Sequence, residues 1–113
     1  MSSIISTVEE FQNIQKSTPN FFLLKHSLTC PISAEGKKQY NSFSETTNVP
    51  TYILHVQEAR PLSNYISETF QVKHESPQVL LFHNSEVAWN TSHWDITVSH
   101  LAKALASLEE NQQ

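Results

Sequence analysis

Asn20-Phe21-Phe22-Leu23-Leu24-Lys25-His26-Ser27-Leu28-Thr29-Cys30-Pro31-Ile32-Ser33 runs from an apolar segment into a cysteine–proline junction. The apolar part, Asn20 to Lys25, is short and continuous, the pattern of a strand covered on both faces. Proline suits a first helical turn, because its missing N–H would have been an orphan there anyway. Pro31 therefore starts a helix and leaves Cys30 at its N-terminus. Beyond it the apolar spacing turns helical, with Ile32, Tyr40 and Phe43 sharing a face with Gly36, the only glycine of the chain. Glycine in a helix costs up to about 1 kcal/mol against alanine, so the expected use of Gly36 is close approach of this helix to the sheet.

The segments on either side fit the same plan. Ser6 and Glu9 read as a capping box for a helix that presents Val8, Phe11 and Ile14 and ends before Pro19. Thr51 to Val56 reads as a second buried strand. Arg60-Pro61 opens another helix, with Leu62, Tyr65, Ile66 and Phe70 inward. Gln78 to Phe82 follows as a strand, His83 to Glu86 as a hairpin turn with Asn84 left-handed, and Val87 to Trp89 as the returning strand. Ser92 or Thr91 is the expected cap of a last helix with the stripe Ile96, Val98, Leu101, Ala102, Leu105 and Leu108. The order α-β-α-β-α-β-β-α implies an α/β fold in one domain, residues 1–113. A central mixed four-stranded sheet is flanked by helices, with an extra helix at the N-terminal end.

Composition narrows the function classes. The net charge is −4, and no basic cluster exceeds Lys37-Lys38. That argues against a nucleic-acid footprint. No apolar run approaches the length of a membrane span, and the first residues lack the pattern of an export signal. A single cysteine fits a reducing cytoplasm. The six histidines are scattered without ligand spacing, so no metal site is expected. Glu9-Glu10 and Glu109-Glu110 read as solvated helix positions.

Chemistry concentrates at Cys30. A sulfur at a helix N-terminus meets unpaired N–H groups and the positive end of the helix dipole, both favouring thiolate. Thr29, Pro31 and Ser33 are the expected supports of that thiolate, Ser33 by offering a hydroxyl and an N–H one turn along. No second cysteine exists to close a disulfide within the chain. Ser76-Pro77 directly precedes the third buried strand, and X-Pro is the bond for which the cis form costs only about 0.5–1 kcal/mol. A cis bond would turn the Ser76 backbone toward Cys30 to pair with substrate; a trans turn would merely end a loop.

The order of elements, Cys-Pro-x-Ser at the first strand–helix junction and Ser-Pro before the hairpin resemble the thioredoxin fold. Thr29-Cys30-Pro31-Ile32-Ser33, His74-Glu75-Ser76-Pro77-Gln78 and Ser92-His93-Trp94-Asp95-Ile96-Thr97 together resemble the monothiol bacilliredoxins of the bacillithiol system, over nearly the whole chain. That resemblance implies a cytoplasmic protein of low-GC Gram-positive bacteria that removes bacillithiol from client cysteines. Cys30 would be the attacking sulfur and Pro77 the cis-proline. It also implies bacillithiol as co-substrate, with no tightly bound cofactor, and bacillithiolated proteins as partners. Bacillithiol carries a malate group, so Ser92 and His93, placed at the expected start of the last helix, and Lys25, just before the active loop, are the candidates to bind it. The Cys-Gly-Phe-Ser motif and glycine pair of cluster-binding monothiol glutaredoxins are absent, which argues against iron–sulfur binding. A thioredoxin-fold binding module without turnover is the alternative. A thiol enzyme of another type, reducing arsenate or peroxide, would need groups this chain does not show.

Overall fold

Phe21, Phe22, Leu23 and Leu24 are fully buried because the strand that carries them lies at the centre of a five-stranded sheet. The computed structural model describes residues 2–110. In chain order the elements are β1 (Ser3–Ile4), α1 (Val8–Ser17), β2 (Asn20–His26), α2 (Pro31–Ser44), β3 (Thr51–His55), α3 (Arg60–Phe70), β4 (Gln78–His83), β5 (Glu86–Ser92), a single 3₁₀ turn (His93–Asp95) and α4 (Val98–Glu110). The strand order is β1-β3-β2-β4-β5, with β1 and β2 parallel to β3 and the remaining pairs antiparallel. Among the described residues, no helix is long and apolar enough to cross a membrane.

Alternate residues of β2 point to opposite layers. Phe21 and Leu23 join Phe11, Leu62, Ile66, Leu80 and Phe82 on the side of α1 and α3. Phe22 and Leu24 join Tyr40, Phe43, Val79, Leu81, Ile96 and Leu101 on the side of α2 and α4. Both faces are dry, which explains the absence of polar alternation along β2.

The sheet has five strands where four were expected. The added strand is β1, which sets Ser3 and Ile4 against Tyr52 and Ile53. Its two residues are exposed, so the pairing is a backbone matter that leaves no hydrophobic pattern. Three local expectations also shift. The first capping box is Thr7 with Glu10, one residue beyond Ser6 and Glu9. The hairpin turn has two left-handed residues, Asn84 and Ser85. The last helix starts at Val98, where the Thr97 hydroxyl accepts from the His100 N–H at 3.1 Å. Ser92 and Thr91 end β5 instead, and Ala104, not Ala102, packs on the core.

Gly36 lies buried in α2 against the loop before β4. A Cβ placed there would stand 3.4 Å from Pro77 Cβ and Cγ and 3.5 Å from Ile96 Cδ1. The approach is close, yet those distances are ordinary contacts, so alanine just fits. Gly36→Ala is expected to stabilise the fold by about 0.5–1 kcal/mol through helix propensity. Gly36→Val should cost about 1–3 kcal/mol by overpacking Pro77. Urea denaturation of both variants checks this, and a destabilised alanine variant would show that the contact with Pro77 has no slack.

Candidate active site

Cys30 is half-buried at the N-cap of α2, in extended conformation, with Pro31 in the first helical turn. Its carbonyl accepts from the Ala34 N–H at 3.1 Å, closing the first helical bond. The thiol is held below its usual range first by the Ser33 N–H, with the Ile32 N–H and the Ser33 hydroxyl adding to the effect and partial burial opposing it. Pro31 makes no hydrogen bond to sulfur, since it lacks the donor. Its part is to start the helix whose amides point there.

Ser33 works in two directions. Its hydroxyl oxygen accepts from the Ser27 N–H at 3.2 Å, and the hydroxyl also lowers the Cys30 thiol. Ser33→Ala should therefore move the Cys30 titration upward and slow alkylation near pH 7 by roughly twofold to fivefold, because both backbone donors persist. Iodoacetamide rates against pH read this out; an unmoved midpoint would remove the hydroxyl from the account.

Thr29 is not among the groups that lower the thiol. Its hydroxyl accepts from Gln57 Nε2 at 3.3 Å. The same amide donates to Ser27 Oγ at 2.9 Å, and Gln57 Oε1 accepts from the Leu28 N–H at 3.1 Å. Gln57 thus braces the loop in front of Cys30. Nothing in its local sequence announces this, since it lies almost thirty residues downstream.

The Ser76–Pro77 peptide is cis. Pro77 packs against Gly36 of α2, and its carbonyl accepts from the His93 N–H at 3.0 Å. The Ser76 hydroxyl is buried without a partner among the described residues. Ser92 and His93 therefore do meet the cis-proline loop, but not through a helix terminus. Ser92 is the last residue of β5, and His93, left-handed at φ 55°, opens a three-residue turn. That turn is too short to supply the dipole expected of it. His93 Nδ1 stands 3.3 Å from Glu75 Oε2 and 3.1 Å from Ser92 Oγ. The site thus sets a carboxylate beside the histidine, and Glu75, which the motif contains but to which the sequence assigned no role, is a member of it.

Beside Pro77 a groove of about 340 Å³ is lined by Glu35, Gly36, Gln39, His93, Trp94 and Ile96, together with Thr97. Trp94 is 68% exposed there. A larger hollow of about 460 Å³ lies between β5 and α4, among Trp89, His100 and Lys103. Neither lining includes Cys30 or Pro77, but the smaller groove shares Gly36 and Ile96 with the packing around Pro77.

Lys25 is not in the groove. Its side chain is wholly buried on the opposite face of the sheet, where Nζ donates to the Ser63 carbonyl and the Ser67 hydroxyl of α3. The parity of β2 is the reason, since Lys25 shares a face with Phe21 and Leu23. His26 is the residue that faces α2. It is buried, and its Nδ1 has no hydrogen-bond partner among the described residues. Burial first, then the charge of Lys37 and the neighbouring His55, hold it below the usual histidine range. The described residues contain no group of three or more His, Cys, Asp or Glu arranged to hold a metal ion.

Residues 3–101 match the family model described as monothiol bacilliredoxin BrxC. A solved structure described as a candidate oxidoreductase with a thioredoxin fold is 43% identical over 92% of this chain and 93% of its own, with a TM-score of 0.88. Thioredoxin from Trypanosoma brucei brucei superposes with a TM-score of 0.78 at 12% identity, over 97% of this chain and 92% of its own. A point-mutant thioredoxin from Halobacterium salinarum gives 0.77 at 12%, over 94% and 88%. Those last two share the fold alone. A sole cysteine at the N-cap of α2, the extent of the family match and the close structural relative agree: the chain belongs to the monothiol bacilliredoxin family, thiol oxidoreductases built on the thioredoxin fold.

Proposed function

We propose that this protein removes bacillithiol from mixed disulfides on client proteins in the cytoplasm. The observation that carries the reading is a single half-buried sulfur whose ionised form is favoured by the amides of Ser33 and Ile32, in a chain with no second cysteine. The Cys30 thiolate attacks the bacillithiol sulfur, the old disulfide breaks, and the client leaves as thiolate to take a proton from water. The thiolate of a second bacillithiol then attacks the bacillithiol sulfur on Cys30. Bacillithiol disulfide departs, and the Cys30 thiolate returns. Attack is fastest when the thiol titrates near ambient pH, because deeper stabilisation of the thiolate sacrifices nucleophilicity. The groups that lower the thiol here are neutral donors, with no charged side chain among them.

Bacillithiol is a co-substrate in this scheme, and no resident cofactor is required. The groove beside Pro77 supplies room, Ser76 a backbone edge, and the His93–Glu75 pair with Ser92 polar contacts for a ligand that carries carboxylates and an amine. The experiment is mass spectrometry of the protein after incubation with a bacillithiolated client. Support is loss of bacillithiol from the client, with an adduct on Cys30 that added bacillithiol clears. A client that keeps its modification would overturn the assignment in favour of a binding module.

A further inference from the structure

Lys25 is an ammonium group in the core of a sheet with no carboxylate beside it. Lys25 has no part in the Lys73–Glu75 ion pair or in the contacts of His55 with Glu58 and of His93 with Glu75. An ammonium has three donors, and here each finds an acceptor: the Ser63 carbonyl at 3.0 Å, the Ser67 hydroxyl at 2.9 Å and His74 Nδ1 at 3.3 Å. Two of these lie on α3. The third lies on the loop that leads to Ser76–Pro77. His74 suits the part of acceptor, because burial first, then the charges of Lys25 and Arg60, hold it below the usual histidine range. Its ring is neutral near pH 7, with a lone pair available. The Ser63 hydroxyl lies 3.3 Å from the same nitrogen and shares its single lone pair.

The rest of that loop is fastened by other bonds. Gln78, the register partner of Lys25 on β4, donates to the Lys73 carbonyl at 2.9 Å. His93 donates to the Pro77 carbonyl from the outer side. Through His74, Lys25 ties the loop to the central strand β2, beside the contact of the Ser63 hydroxyl of α3 with the same ring. A buried charge without a counter-charge is a poor source of stability, and an apolar side chain would continue the strand. Such a lysine is better explained by what it holds in place.

The geometry points to Lys25 as a positioning residue, which through His74 sets the loop carrying Ser76–Pro77 so that a substrate backbone can pair beside Cys30. This rests on the reading of Cys30 and the cis-proline loop as the thiol-exchange site. It does not depend on bacillithiol being the thiol exchanged.

The test compares two disulfides attacked by the same sulfur. In 2,2′-dithiodipyridine, the Cys30 thiolate displaces 2-thiopyridone without any peptide backbone to bind. In a short extended peptide whose cysteine carries a 2-thiopyridyl disulfide, attack at the peptide sulfur forms a Cys30–peptide disulfide and releases the same chromophore. Lys25→Met and His74→Ala should each slow the peptide reaction by about fivefold to twentyfold. The small-reagent rate should stay within about twofold. The double variant should fall no further than the worse single one, since both cut one link. His74→Gln, which keeps an acceptor, should recover most of the peptide rate. Peptide rates unchanged in folded variants, or falling in step with the small reagent, would overturn the proposal. A wild-type protein that left bacillithiolated clients intact would overturn the proposed function and leave this comparison standing.

Discussion

Cys30→Ser is expected to give a folded protein that releases no client thiol, a loss of more than about a thousandfold. The two side chains differ by one atom, and Cys30 sits at an N-cap, where serine is among the preferred residues. Its hydroxyl can accept from the same Ser33 and Ile32 amides that now face sulfur. The fold should therefore be unchanged or slightly more stable. The chemistry should vanish, because a serine hydroxyl is not ionised near pH 7 and cannot enter a disulfide. No other sulfur but that of Met1 exists in the chain, and a thioether is not a nucleophile toward disulfides in this role. Release of client thiol, followed with a bacillithiolated protein, is the measurement. Undiminished release would mean that bacillithiol leaves by a route that does not pass through the protein's own sulfur.

The parts of this site that could be read from sequence are those fixed by local stereochemistry. Pro31 marks a helix start wherever the fold places it, so the N-terminal position of Cys30 followed from two adjacent residues. Ser76-Pro77 before a buried strand was legible for a similar reason: a proline there has few conformations open to it. The helices of the core announced themselves through the spacing of Phe11 and Ile14, of Leu62 and Ile66, and of Tyr40 and Phe43.

What was not legible depends on relations between distant segments. Gln57 braces the active loop by meeting Ser27, Leu28 and Thr29, and an exposed glutamine carries no mark of such a partner. The pairing of β1 with β3 buries almost no side chain, so there was no apolar pattern to find. Lys25 is the instructive case. Its closeness in sequence to Cys30 made it a candidate for the groove, yet strand parity sends it to the other face. In a half-exposed strand, alternation would have revealed this. In β2 both faces are apolar, and the signal that distinguishes them is missing. The expected helix start at Ser92 failed for another reason. The chain makes a left-handed residue and one 3₁₀ turn first, and Thr97 offers the same capping chemistry five residues later.

Lys25→Met is expected to stabilise the protein by about 1–3 kcal/mol near pH 7, while lowering its reactivity toward peptide disulfides. Burial pulls the Lys25 ammonium down from 10.5 to about 8. Holding the proton in the folded state near neutral pH thus costs about 3 kcal/mol relative to holding it in the unfolded chain. Methionine has similar length, no charge and enough flexibility to fill the space. It removes that cost but takes a donor from the Ser63 carbonyl, the Ser67 hydroxyl and His74 Nδ1, which returns part of the gain. The pH dependence separates these contributions. Between about pH 8 and 10.5 the unfolded chain still binds the Lys25 proton while the folded chain has lost it, so this group makes wild-type stability rise with pH. Methionine does not titrate. The advantage of the variant should therefore be largest below pH 8 and shrink by about 3 kcal/mol as pH climbs to 10.5. Urea denaturation at pH 7 and pH 10 measures it. A variant destabilised at pH 7 would show that the hydrogen bonds to Ser63, Ser67 and His74 outweigh the buried charge. The lysine would then be explained by stability alone.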